Sequence, residues 1–363
     1  ALGAELTLSE ALDQSVERLR QLKEVPASVR ARVLEAVGAT YIELSRHNQA
    51  IPLLAEAADA FRRADDVDGQ FRALHARAIA IQEQGNYGEA QAALESVLAL
   101  RQAAGKQGDS FDAELHSSIG NLLQYQRRGD QALAEFDRAL AILRASAVPD
   151  QEQLAHTLRN LGDIRTAQGD AEGARDELLE AQTLMQSLYG PDHPDSIRLL
   201  RSLGRNAQRR GEYAEALADF ELGWERAQKV FESPHGVRLL LAHPLALAYL
   251  HAGDLERAAK VMRLAAVEAE GLYPPNHPSR ATVSSDLALV LTLSGAKAEA
   301  RPLAEAALAA GQAMASDAAA IAQPELLLAV LDCLARPEEA ARQRVLAAEQ
   351  QVRADLISAP AIV

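Results

Sequence analysis

Arg198, Arg201, Arg205 and Arg209 stand three, four and four residues apart. On a helix that spacing places the four side chains in one axial row, and Arg210 adds charge beside it. Guanidinium forks grip carboxylates through paired N–H donors, so the chemistry such a row offers is anion capture. The clustering stands out in a chain whose 37 basic and 51 acidic side chains give a formal charge of −14. The same balance argues against a broad nucleic-acid or anionic-membrane footprint, because either needs a net positive face.

Bond-making chemistry is poorly represented. No P-loop, G-x-S-x-G, H-E-x-x-H or G-x-G-x-x-G motif occurs, and the chain reads as non-enzymatic and without a cofactor. His156, His243 and Cys333 are the only candidates for an unrecognised reaction centre, and they lie far apart in sequence. His193, His235 and His277 recur 42 residues apart. Groups a full period apart do not share one coordination shell, so a repeated structural cap is expected rather than a metal site. His243 and His251 are eight residues apart on one helix, about two turns, too distant to chelate one ion. Cys333 is the only cysteine, which excludes an internal disulfide framework and a thiolate zinc site; it is expected to be a small buried apolar group. The longest apolar runs, such as ELLLAVLDCLA, are too short to span a bilayer, so no membrane insertion is expected of this segment.

The elements that position these residues repeat. The segments GNYGEAQAAL, GDAEGARDEL, GEYAEALADF, GDLERAAKVM and GAKAEARPLA begin at Gly85, Gly169, Gly211, Gly253 and Gly295, the last four 42 residues apart. An alanine follows each glycine by five residues, in a series Ala50, Ala90, Ala132, Ala174, Ala216, Ala258, Ala300 and Ala340. A fixed period of this length marks a solenoid. Before each glycine, apolar residues at helical spacing, as in Leu200, Leu203 and Ala207, predict a first helix. The glycine breaks it, and Ala216, Phe220 and Gly223 form the seam of a second, antiparallel helix. One hairpin cannot bury both faces, so stacked neighbours must supply the core.

A small residue in the first helix (Ile119-Gly120, Leu161-Gly162, Leu203-Gly204), the G-x-Y-x-E-A turn, and a large apolar residue four positions later together resemble the tetratricopeptide repeat. The 42-residue period with GPDHP between units is similar to the kinesin-light-chain type. The resemblance implies an all-α, right-handed superhelical solenoid of antiparallel helix pairs, with a concave groove lined mainly by first helices. Carried onto this chain, the family's groove positions are Arg198, Arg201, Arg205, Gln208 and Arg209 before Ala216. The neighbouring unit on one side offers His156, Arg159 and Asp163; on the other, Leu240, His243, Leu247 and Leu250. Farther toward the N-terminus, Glu114, Ser117, Asn121, Gln124 and Tyr125 make a neutral polar stripe. The implied partner is a protein or peptide with acidic residues beside a large apolar anchor, held by the arginines over Leu247 and Leu250. An ordinary solvated ion network, with the arginines paired to Asp163, Asp219 or Glu221, is the competing reading of the same row.

Three segments are expected along the chain: a capping helix in 1–26, about eight hairpins over 27–350, and a tail at 351–363. Gly105, Gly108 and Asp109 mark a longer linker. LSEALDQSVERLRQL and the sequence after it also resemble the start of tetratricopeptide regions appended to bacterial serine/threonine kinases. On that alternative the chain is the sensing or scaffolding part of a signalling protein, and its compartment depends on what precedes it.

Overall fold

The computed structural model describes residues 8–22, 24–44, 46–313, 318–335 and 343–349. Ala340 and the 351–363 tail lie outside the described residues. The chain forms two compact units, Ala1–Thr157 and Leu158–Val363. All regular structure among the described residues is helical, in agreement with the all-α expectation.

The first unit contains α1 (Leu8–Gln21), α2 (Ala27–Glu43), α3 (His47–Arg63), α4 (Val67–Glu83), α5 (Tyr87–Ala103), α6 (Ser110–Tyr125) and α7 (Gly129–Ala145). Its core runs through Leu34, Tyr41, Leu54 and Phe61, and α1 joins it by burying Val16 and Leu19. The Tyr41 hydroxyl donates to Asp13 of α1, which fastens the lone helix to the first hairpin. Helix α8 (Gln151–Gln168) carries the division between the units.

The second unit continues with α9 (Ala171–Tyr189), α10 (Pro194–Arg209), α11 (Tyr213–Val230), α12 (Gly236–His251), α13 (Leu255–Leu272), α14 (Pro278–Leu293), α15 (Lys297–Ala313) and α16 (Ala318–Ala335), followed by a helical stretch at 343–349. Its core is continuous from Ile197 and Phe220 through Trp224, Leu241 and Met262 to Leu291 and Leu331.

The hairpin turns from α4–α5 through α14–α15 share one form. Gly211 has φ +83, and the next N–H, that of Glu212, reaches back to the Ala207 carbonyl at 2.9 Å. That bond closes the end of α10 in the left-handed manner a glycine allows without a side-chain clash. The same back-bond is made by Asp170, Asp254 and Ala296. In the α6–α7 hairpin the equivalent position is Arg127, with φ +60 and the Arg128 N–H donating to Leu123 at 2.8 Å. The sequence series of glycines therefore misses a turn that the backbone still makes. A side chain in this conformation costs roughly 1–2 kcal/mol, so Arg127→Gly is expected to stabilise the chain by about 0.5–1 kcal/mol. A higher midpoint in urea denaturation checks this; a lower one would mean that contacts of the arginine side chain outweigh the backbone strain.

Close approach of the two helices explains the small residue in the first one. A Cβ on Gly204 would sit 2.6 Å from the Phe220 ring, which is fully buried. Gly120 and Gly162 stand under Phe136 and Leu178 in the same register.

Junctions between hairpins in the second unit carry the repeated histidines. His193, His235 and His277 each cap the following helix, Nδ1 accepting the N–H of Asp195, Val237 or Ser279 at 3.2 Å. Each ring also stacks on the aromatic residue four positions earlier: Tyr189 at 4.2 Å, Phe231 at 4.1 Å and Tyr273 at 4.0 Å. This is why Leu188-Tyr189 with His193-Pro194 returns in the sequence as Leu272-Tyr273 with His277-Pro278: the aromatic ring and the cap form one device. Pro194 and Pro278 occupy the first turn of their helices, where no N–H is needed.

Candidate functional site

In the second unit, first helices α8 and α10 are fastened side by side by buried polar groups. The Ser202 hydroxyl donates to Asp163 Oδ2 at 3.0 Å, and Asn206 Nδ2 donates to Thr166 Oγ1 at 3.0 Å and to the Ala171 carbonyl at 2.7 Å. Ser202, Asn206 and Thr166 are buried. Links of this kind join first helices elsewhere: His75 to Ser118 at 3.0 Å and Ser117 to Thr157 at 3.2 Å in the first unit, His243 to Asp286 at 2.7 Å in the second. The side chain to side chain links between first helices span 39 to 43 residues, close to one repeat.

That register sets the arginine row. Arg201 and Arg205 each stand one residue before a link residue, half-buried, on the same face of α10. Arg159, four residues before Asp163, is half-buried on α8, and its Nε is buried without a hydrogen-bond partner. Burial pushes the Arg201 guanidinium below its usual range; Arg205 and Arg159 push the same way, and Asp163 opposes them. Like charges four residues apart on a helix disfavour each other by a few tenths of a kcal/mol, so this grouping is a local cost of the fold.

The remaining arginines divide. Arg198 is exposed and bonds Asp195 one turn earlier at 3.0 Å. Arg209 is exposed. Arg210, which in sequence adds charge to the row, folds into the turn and is neutralised there: it bonds both Glu215 oxygens at 3.0 Å and Asn206 Oδ1 at 3.1 Å. Among the described residues Arg201, Arg205 and Arg209 make no ion pair. Of the acids that could pair with them, Asp163 and Glu221 are engaged by other groups. Asp163 accepts from Ser202, and Glu221 accepts from Tyr249 and pairs with Arg257. Asp219 lies near Glu215, its carboxyl pushed up to about 6 by burial and by that neighbour, with Arg210 opposing.

On α12, Leu247 and Leu250 are half-buried against the core, and Leu240 is 43 % exposed. His243 sits on the same helix, but its Nε2 is held by Asp286, whose other oxygen accepts from Gln323 at 2.9 Å. It is therefore a member of the inter-helix links rather than an unengaged histidine on that face. Asn121 on α6 and His156 on α8 are half-buried and belong to the first unit. His251 is exposed, and Cys333 is a free thiol of intermediate burial. Among the described residues no group of three or more His, Cys, Asp or Glu side chains is placed to hold a metal ion, and no helix is long and apolar enough to cross a membrane.

Hairpins of nearly equal length, with a recurring turn and links between their first helices, define a helical repeat protein. The tetratricopeptide-repeat family model matches residues 29–103, 111–182 and 153–229, more than half of the chain. The chain belongs to the tetratricopeptide repeat family. No curated protein matches its sequence. Among solved structures it is similar to BtubC (BKLC) from P. vanneervenii, at 20% identity over 64% of this chain and 93% of that one, with a TM-score of 0.53. It is similar to a Rap protein complexed with Competence and Sporulation Factor, at 12% identity over 91% and 88% of the two chains, TM-score 0.63. It is also similar to the Rap conjugation gene regulator of the plasmid pLS20 in complex with the Phr* peptide, at 15% identity over 89% and 85%, TM-score 0.50. At these identities the likeness is one of fold.

Proposed function

We propose that the chain is a non-enzymatic scaffold that captures an acidic, or acidic and apolar, segment of a partner protein on the face presented by first helices α8, α10 and α12. The observation that carries this reading is the pair Arg201 and Arg205: two half-buried guanidiniums on one face, without ion pairs, in a chain of net charge −14. Most other arginines of the second unit, including Arg198, Arg210, Arg238 and Arg257, have a carboxylate of their own. Guanidiniums left without an internal counter-ion suit an external one, which they bind bidentately. Leu247 and Leu250 would supply the apolar side of the contact, and Arg198 and Arg209 the charged rim. Peptide capture by a Rap protein of the same fold supports the reading.

Fluorescence anisotropy of dye-labelled acidic peptides carrying a leucine anchor tests it. Binding is expected to weaken as salt rises. Arg201→Ala/Arg205→Ala is expected to lower affinity at least about tenfold, the equivalent of roughly 1.4 kcal/mol, and to flatten the salt dependence. Unchanged affinity in that variant rejects the site.

A further inference from the structure

Charge at the site is unbalanced in a specific amount. Arg159, Arg201 and Arg205 contribute three positive charges, and Asp163 is the one carboxylate that acts on Arg201 with them. Ser202 holds one oxygen of Asp163 at 3.0 Å between α8 and α10, so that carboxylate is shared with the inter-helix link. Counted formally, the three arginines and Asp163 carry an excess of two positive charges. A carboxylate side chain would cancel half of it. A phosphomonoester carries about −1.5 to −2 at neutral pH and presents three acceptor oxygens.

Donor geometry points the same way. The buried Nε of Arg159 has no acceptor, while its Nη2 donates to Asn160 Oδ1 at 3.1 Å; on the neighbouring helix Arg201, near enough to Arg159 and Arg205 to feel their charges, makes no ion pair, and neither does Arg205. Guanidinium donors contributed by two neighbouring helices suit an oxyanion with several oxygens better than a carboxylate with two. Arg101 of the first unit makes the contrast: it is only 2% exposed, but it has Asp109 and Asp112 at 2.6 Å each and needs nothing from outside.

We infer that the face of α8 and α10 prefers a phosphorylated side chain on the captured peptide, with Arg159, Arg201 and Arg205 surrounding the phosphate. This rests on the peptide-capture reading above. The phosphate source is taken as a peptide rather than an anionic membrane because the chain as a whole is strongly acidic, and because the leucines of α12 offer an anchor beside the arginines.

The test uses the full chain and three pools of dye-labelled peptides that differ only at one fixed position, Ser, Glu or phosphoserine, with a leucine fixed nearby. The phosphoserine pool is expected to bind about tenfold tighter than the Glu pool, and the Ser pool weakest. Arg201→Lys/Arg205→Lys keeps the charge and removes the forks, and is expected to shrink the phosphoserine advantage to about threefold or less. Equal binding of the Glu and phosphoserine pools overturns the phosphate preference and leaves peptide capture standing. Binding by none of the pools overturns both. Inorganic phosphate that binds as tightly as the phosphoserine pool would assign the site to the free ion and overturn the inference.

Discussion

Arg101→Leu is expected to destabilise the first unit by about 3–5 kcal/mol, among the largest effects of any single charge in the chain. The side chain is 2% exposed at the end of α5. Its Nε donates to Asp112 and its Nη2 to Asp109, each at 2.6 Å, while the guanidinium lies 5.2 Å from the Phe71 ring and 4.8 Å from that of Phe111. Removing it strands the Asp112 carboxylate, itself buried, with the Gly108 N–H as a remaining donor at 2.6 Å. A stranded buried charge is costly, whereas a well-packed apolar replacement of both partners often is not. Arg101→Leu/Asp112→Leu is therefore expected to recover part of the loss. Urea denaturation of both variants checks the pair, with hydrogen exchange locating the loss in α4 to α6, since repeat proteins lose structure by neighbouring units. A single-variant cost below about 1 kcal/mol would refute this account of the linker.

Acid should weaken the same unit through His75. Its ring is 9% exposed, meets Phe111 edge-on at 5.6 Å, and bonds Ser118 through Nε2. Burial pushes its pKa down to about 4. Glu114, 3.4 Å from Nδ1, would favour the proton, but it is half-exposed, and burial of the ring prevails. Because the folded state holds the proton less firmly than the unfolded chain does, the neutral ring contributes stability above pH 6.5, and that contribution is lost as pH falls toward 4. At 1.36 kcal/mol per unit the loss is on the order of 3 kcal/mol. His75→Gln, which keeps a donor for Ser118, should remove that part of the pH dependence. Wild-type and variant stabilities that fall in parallel between pH 7 and 4 would show that His75 is not the titrating group.

Hairpins were legible because two backbone requirements recur as residue types. A left-handed turn favours glycine, and close helix crossing favours alanine five residues later. Where the turn tolerates another residue, as at Arg127, the series falls silent. The axial row of arginines was equally plain from their spacing, yet its division was not. Arg198 finds Asp195 and Arg210 finds Glu215 through rotamers that sequence spacing does not fix. The links between first helices, Ser202 to Asp163 and His243 to Asp286, depend on the lateral register of neighbouring hairpins. Their only trace in sequence is a separation near one repeat. Arg101 left no trace either, since its carboxylates stand in a segment that reads as a plain connection. The aromatic partner of each capping histidine was visible as a letter, but its role came from a ring stacking on its neighbour one helical turn away.

The buried bonds that key α8 to α10 also bear on how fast a ligand leaves. Wall helices locked to each other have little freedom to lose when a peptide arrives, so most of the ordering on association falls on the peptide itself. Ligands already stiffened by proline or by cyclisation should then gain residence time on this face, and loosening Ser202 or Asn206 should shorten it for stiff and floppy ligands alike.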